Sequence, residues 1–183
     1  MHTIFQAIKL IRVHQWSKNL LVFVPLILSP QLENIVLWSD LLIAFFAFNL
    51  CASAGYLIND IVDLPYDQSH LNKKNRPLAS GFISINLASF FAIFLLSLSI
   101  YLGLLAGKVF CITLILYFLI AQAYTLKLKQ AHIIDCIILS FLYMMRIIAG
   151  ALAVSLDVST WILSFSLFFF FSFALLKRYS EAY

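Results

Sequence analysis

The chain has 183 residues, of which 63% are hydrophobic and 11% charged, with a formal net charge of +4. A soluble domain averages about 45–50% apolar and about 25% charged residues, so soluble folding is excluded in favour of an all-α, polytopic membrane helical bundle. The basic residues sit at the ends of apolar runs, which is the pattern of membrane topology and argues against a nucleic-acid partner.

A bilayer core about 30 Å thick requires about 20 predominantly apolar residues per crossing. About six such spans are expected, at roughly 17–32, 38–59, 83–105, 108–126, 133–154 and 159–176. The first is the weakest, because Pro25 and Pro30 interrupt it, and a re-entrant or interfacial segment is its alternative reading. It carries no small-residue cleavage pattern, so it reads as a retained helix rather than a signal peptide. In the second span "CASAG" (51–55), and in the fifth "AGALA" (149–153), cluster the small side chains that let helix backbones approach closely in lipid. Cys51, Cys111 and Cys136 lie in apolar runs with no CxxC spacing and read as small buried hydrophobes. The 18 phenylalanines suit a lipid-facing surface. No linker or low-complexity tract divides the chain, so residues 1–183 read as one transmembrane domain.

Six spans place Lys9, Arg12, Lys18, Lys73, Lys74, Arg76, Lys127, Lys129, Lys177 and Arg178 on one side of the membrane and only Lys108 on the other. The positive-inside rule then puts the N-terminus and the 60–82 loop in the cytoplasm, for a multi-pass protein of the cell (inner) membrane.

That loop begins "NDIVDLPYD". Asp60, Asp63 and Asp67 are spaced by three and four, which on one helix confines them to about 60° of arc. Three carboxylates on one face repel one another unless a cation lies between them. All-oxygen ligation suits Mg²⁺, which shares its shell with substrate phosphates, and Asn59 offers a further oxygen. Pro65 has no amide hydrogen and is expected to kink or end the helix here. His70, Lys73, Lys74 and Arg76 follow. A metal with Lys and Arg beside it is equipment for holding a diphosphate, whose charge the metal offsets as it leaves. Topological anchoring is the alternative role for Lys73 and Lys74.

Arg146 falls deep in the fifth span, where an ionisable side chain must face the interior and find a partner. Asp135 is on the same helix face but about 16 Å away along the axis, so an anionic ligand or another helix has to serve Arg146. Tyr124, Lys127 and Lys129 share a helix end at the cytoplasmic mouth, and Tyr124 and Lys127 are spaced to meet one ligand. Asp135 follows them, placed to orient Lys127 or Lys129.

The pair "NDIVDLPYD" and "RPLASG" resembles the signature of the UbiA-type intramembrane prenyltransferase family. "HQWSKNLLVFVP" (14–25), "YTLKLKQAHIIDCIILSFLYMMRIIAGALA" (124–153) and "KRYSE" (177–181) look like its decaprenyl-phosphate phosphoribosyltransferase branch. The resemblance implies nine helices around a cavity open sideways to lipid, so the last three family helices are missing from the six read here. A partner supplying them is one expectation. It implies an Mg²⁺-dependent membrane transferase that moves a 5-phosphoribosyl group from phosphoribosyl diphosphate to a polyprenyl phosphate and releases diphosphate. Asp60, Asp63 and Asp67, with Asn59, would hold the metal. It also raises Lys18 as a phosphate contact, makes a sugar hydroxyl a partner for Asp135, and puts Lys177 with Arg178 and Glu181 where the family has its second polar motif. The usual second DxxxD is absent. Prenyl transfer from a polyprenyl diphosphate to an aromatic acceptor is the alternative, as is an inactive truncated relative.

Overall fold

The expected apolar runs do become long helices. A computed structural model describes residues 10–71, 73–126 and 132–182. Its α-helices are α1 (Val24–Ile27), α2 (Ile35–Val62), α3 (Leu64–Ser69), α4 (Ile85–Ala106), α5 (Lys108–Leu126), α6 (His132–Ala153) and α7 (Thr160–Ala182), with a 3₁₀ helix over Val13–Phe23. No strand occurs among the described residues. Five helices, α2 and α4–α7, are long and apolar enough to cross a membrane.

Local chemistry sets their ends. The Asn34 side chain accepts from the Val36 amide and starts α2, and Ser84 does the same for α4 through the Leu87 amide. Between α4 and α5 a single residue turns the chain. Gly107 has φ +131°, a conformation that a side chain would strain. Pro65 lies in the first turn of α3. As expected, the long helix stops just before it, at Val62, and Asp63 caps both helices.

The first expected span, 17–32, is not one long α-helix. Residues Val13–Phe23 wind as a 3₁₀ helix and only Val24–Ile27 continue as α-helix. Pro25 sits in the first turn of α1, and a turn follows in which Ser29 Oγ donates to the Leu26 carbonyl and accepts from the Gln31 amide. The looser rise of a 3₁₀ helix, about 2.0 Å per residue, stretches these two pieces over about 28 Å. That length approaches the bilayer core with fewer residues than an α-helix needs.

α2 forms the centre. It packs most extensively on α4, and also on α5 and the 3₁₀ helix, while α6 joins α7, α5 and the 3₁₀ helix. The main core gathers Val22, Leu26, Phe48, Cys51, Phe110, Leu114, Leu142 and Ala149. All three cysteines are buried among apolar neighbours. α7 meets the bundle mainly through α6 and exposes Phe165, Phe168 and Phe173, as a lipid-facing helix does.

The small-residue stretches mark close approaches. Cys51, Ser53, Ala54 and Gly55 are buried in α2. In α6 a Cβ added to Gly150 would lie 1.9 Å from the Val22 carbonyl oxygen. The backbones of α6 and the 3₁₀ helix are therefore in direct contact, possible only because glycine has no side chain there.

Gly150→Ala must push the two backbones apart, with an expected loss of about 2 kcal/mol or more in stability. It should lower the thermal unfolding midpoint of the detergent-solubilised protein by several degrees; an unchanged midpoint would refute the contact.

Candidate functional site

The C-terminal ends of α2 and α5, the middle of α6 and the 3₁₀ helix with Arg12 line a cavity of about 190 Å³. Its lining includes Arg12, Lys18, Tyr56, Asn59, Tyr117, Gln122, Tyr124, Tyr143 and Arg146. Three cations thus face one small space, and the charge of Lys177, near the end of α7, also acts on Lys18. Two buried amide oxygens on this lining, Asn59 Oδ1 and Gln122 Oε1, have no hydrogen-bond partner among the described residues.

Beside this cavity lies the acidic motif. Asp60 and Asp67 are buried. Arg76 Nη1 donates to Asp60 Oδ1 at 3.1 Å and to Asp67 Oδ2 at 2.5 Å, so carboxylates from α2 and α3 converge on one cationic nitrogen. Arg12 also donates to Asp60 Oδ1. Its backbone lies in the left-handed region, φ +51°, and its guanidinium packs 4.9 Å over the Tyr56 ring. The expectation of three aspartates on a single helical face needs correction, because the helix breaks at Asp63 and Asp67 belongs to α3. Asp63 is half-buried at the break.

Arg146 is 6% exposed and occupies the cavity wall. Nε donates to Asn19 Oδ1 at 2.7 Å, Nη1 to the Leu142 carbonyl at 2.6 Å and Nη2 to Tyr117 Oη at 2.7 Å. Asn19 Nδ2 in turn donates to Asn49 Oδ1 at 2.7 Å. Its guanidinium also lies 4.9 Å from the Tyr117 ring centroid and 5.1 Å from that of Tyr143, an arrangement that favours a cation. Other helices do serve Arg146, then, but through neutral oxygens and rings. Among the described residues no carboxylate pairs with it, and it lines the cavity.

Asp135, 1% exposed, does not reach into this network. It accepts from Tyr124 Oη and from Arg178, joining α5, α6 and α7 at one end. Of the remaining sequence candidates, Lys18 stands on the cavity rim, Lys73 is exposed on a short 3₁₀ turn and Lys177 is exposed on α7. Lys127 and Lys129 lie outside the described residues. Arg76 grips the aspartates instead of standing free to clamp a ligand. Arg12, Asn19, Tyr117 and Gln122 belong to the site yet were not singled out from sequence. Asn19 and Gln122 carried a signal, each being an amide inside an apolar run.

Residues 21–181 match the UbiA prenyltransferase family. The chain belongs to that family. Its relatives include decaprenyl-phosphate phosphoribosyltransferase of Corynebacterium glutamicum, 35% identical over 95% of this chain and 54% of the relative. The protein of that name from Mycobacterium tuberculosis is 30% identical over 96% and 59%, and nodulation protein NoeC of Azorhizobium caulinodans is 34% identical over 93% and 55%. Among solved structures, a digeranylgeranylglyceryl phosphate synthase superposes with a TM-score of 0.81 at 25% identity, over 100% of this chain and 64% of that one. A UbiA homologue from Archaeoglobus fulgidus bound to GPP and Mg²⁺ gives 0.75 at 21% identity, over 92% and 60%. This UbiA-family chain thus spans between about a third and two thirds of the length of these relatives, the smallest share, 35%, being against protein y4nM of Sinorhizobium fredii. With five apolar helices and this family, it is a multi-pass membrane protein.

The donor set suits a metal such as Mg²⁺ only in part on its own. Among the described residues no three His, Cys, Asp or Glu side chains converge closely enough to hold an ion. Two carboxylates from adjoining helices do meet around a positive charge, and the unpartnered Asn59 oxygen lies next in sequence to Asp60. That fits Mg²⁺, which is commonly bound by one or two carboxylates plus substrate phosphates and water.

Arg178→Met would leave the buried Asp135 carboxylate without its cation and is expected to cost roughly 1–3 kcal/mol. Because breaking one side of such a pair costs more than replacing both, the Arg178→Met, Asp135→Leu double variant should unfold at a higher temperature than Arg178→Met alone. A double variant at or below the single one would show that the pair does not stabilise the helix end.

Proposed function

We propose that this chain carries the diphosphate-handling part of a membrane transferase. It moves a 5-phosphoribosyl group from phosphoribosyl diphosphate to a polyprenyl phosphate and releases diphosphate. The observation that carries the reading is the cavity itself: Arg12, Lys18 and Arg146 around one small space of mixed polar and apolar lining, with the acidic motif alongside. Its donors suit a compact, highly phosphorylated head better than a hydrocarbon. The relatives named as decaprenyl-phosphate phosphoribosyltransferases support it at 30–35% identity.

In this reading Asp60, Asp63, Asp67 and Asn59 hold Mg²⁺. The ion, when bound, neutralises the diphosphate as negative charge develops on it. Arg76 and Arg12 orient the aspartates. Arg146 offers the charge that its neutral partners leave uncancelled, and Lys18 and Lys73, with Lys127, Lys129 and Lys177, attract phosphate at the mouth. Tyr124 and Asp135 shape the mouth through their mutual hydrogen bond. The acceptor phosphate is already ionised, so no strong general base is required. The lipid tail lies among the exposed apolar side chains, and the mouth faces the cytoplasm of a cell membrane, since nearly all basic residues gather at that end.

Prenyl transfer from a polyprenyl diphosphate is the second reading. Digeranylgeranylglyceryl phosphate synthase of Sulfolobus acidocaldarius, 33% identical over 68% of this chain and 44% of the relative, favours it.

Purified protein with Mg²⁺, a polyprenyl phosphate and labelled phosphoribosyl diphosphate should produce lipid-linked label that chelation abolishes. Asp63→Ala should lower its rate by about a hundredfold or more. Absence of lipid-linked label, or a rate indifferent to Asp63→Ala, sinks the proposal. Transfer of a labelled prenyl group from its diphosphate instead selects the second reading.

A further inference from the structure

Gln122 is a polar side chain on a membrane-spanning helix, α5, and the transfer scheme gives it no task. It lines the cavity opposite α2, with Oε1 buried and unpartnered. Across from it α2 has Gly55, where an added Cβ would lie 2.7 Å from Gln122 Nε2. The missing side chain of Gly55 is what makes room for this amide. One turn further along α2, Asn59 contributes the second unpartnered amide oxygen of the same cavity. Arg12, Lys18 and Arg146 line it too, yet their hydrogen bonds go to Asp60, Asn19, Tyr117 and the Leu142 carbonyl, or in the case of Lys18 to none of the amides.

A buried acceptor without a donor is costly, and a ligand that supplies the donor relieves that cost. The ligand must then bring hydrogen-bond donors into a site whose charges select an anion. A prenyl diphosphate cannot do this: its carbon chain has no polar hydrogen and its ionised phosphates only accept. A phosphorylated sugar does both, offering phosphate to the cations and a hydroxyl group to Gln122, while the Asn59 oxygen is left for the metal. We infer that Gln122, in the space left by Gly55, is a specificity residue that accepts a hydrogen bond from a sugar hydroxyl of the donor and so discriminates against hydrocarbon donors. This rests on the phosphoribosyl reading above. It adds the residue by which the choice between donors is made.

Titration calorimetry of the full chain in detergent with Mg²⁺ tests it, using phosphoribosyl diphosphate and inorganic diphosphate as separate ligands. Gln122→Met keeps length and flexibility while removing the amide. It should weaken phosphoribosyl diphosphate roughly tenfold or more while leaving inorganic diphosphate within about twofold. Gly55→Ala, which displaces the amide, should shift the same ratio in the same direction. Unchanged binding of phosphoribosyl diphosphate by Gln122→Met overturns the inference. A parallel loss of both ligands overturns it as well, because Gln122 would then be structural. Failure of the underlying reading shows elsewhere, in the unmodified chain: it would bind phosphoribosyl diphosphate no more tightly than inorganic diphosphate.

Discussion

A guanidinium buried in a membrane protein has to be given partners, and here that requirement organises the bundle. Arg146 is satisfied only when the 3₁₀ helix brings Asn19, α5 brings Tyr117 and its own helix turns the Leu142 carbonyl toward it. The bonds to Asn19 and Tyr117 reach across the chain, so each of these two fixes one segment against another. The contact between Gly150 and the Val22 carbonyl sets how closely the 3₁₀ helix can lie, and Asn49 then holds Asn19 from α2. Lipid offers no hydrophobic drive for helix association. Polar pairing and close backbone packing therefore carry much of the specificity that apolar burial provides in water.

The same arrangement explains why the site is cationic. Using neutral oxygens and aromatic faces to hold Arg146 stabilises the ion without cancelling it. A carboxylate in that role would have left nothing to attract an anion. By contrast, Asp60 and Asp67 are closely matched by Arg12 and Arg76, and Asp135 by Arg178. Arg12 is thus matched beside the cavity, while Arg146 keeps its charge within it.

Much of this was legible in the chain. Apolar runs gave five of the helices, because span length is imposed by bilayer thickness. Pro65 marked the break after α2, because a residue without an amide hydrogen cannot continue the ladder. The acidic and basic clusters marked the end of the molecule where the site lies. What escaped has physical reasons. The arc of three aspartates assumed a helix continuous through the very break that Pro65 announced. The 17–32 run was measured with α-helical rise, whereas the chain winds there as a 3₁₀ helix. Arg12 looked like a topological charge because its role depends on a left-handed backbone and on a carboxylate 48 residues away. Arg146 announced a partner without naming it, since its partners come from separate segments of the chain.

The turn at Gly107 carries a consequence for biogenesis. With α4 ending at Ala106 and α5 starting at Lys108, scarcely any chain is available to reside outside the lipid between these two helices. Each would strand the other if it entered the bilayer alone. The two are therefore expected to insert as one hairpin, and this turn presents almost no loop for a protease, a modifying enzyme or a binding partner to grasp.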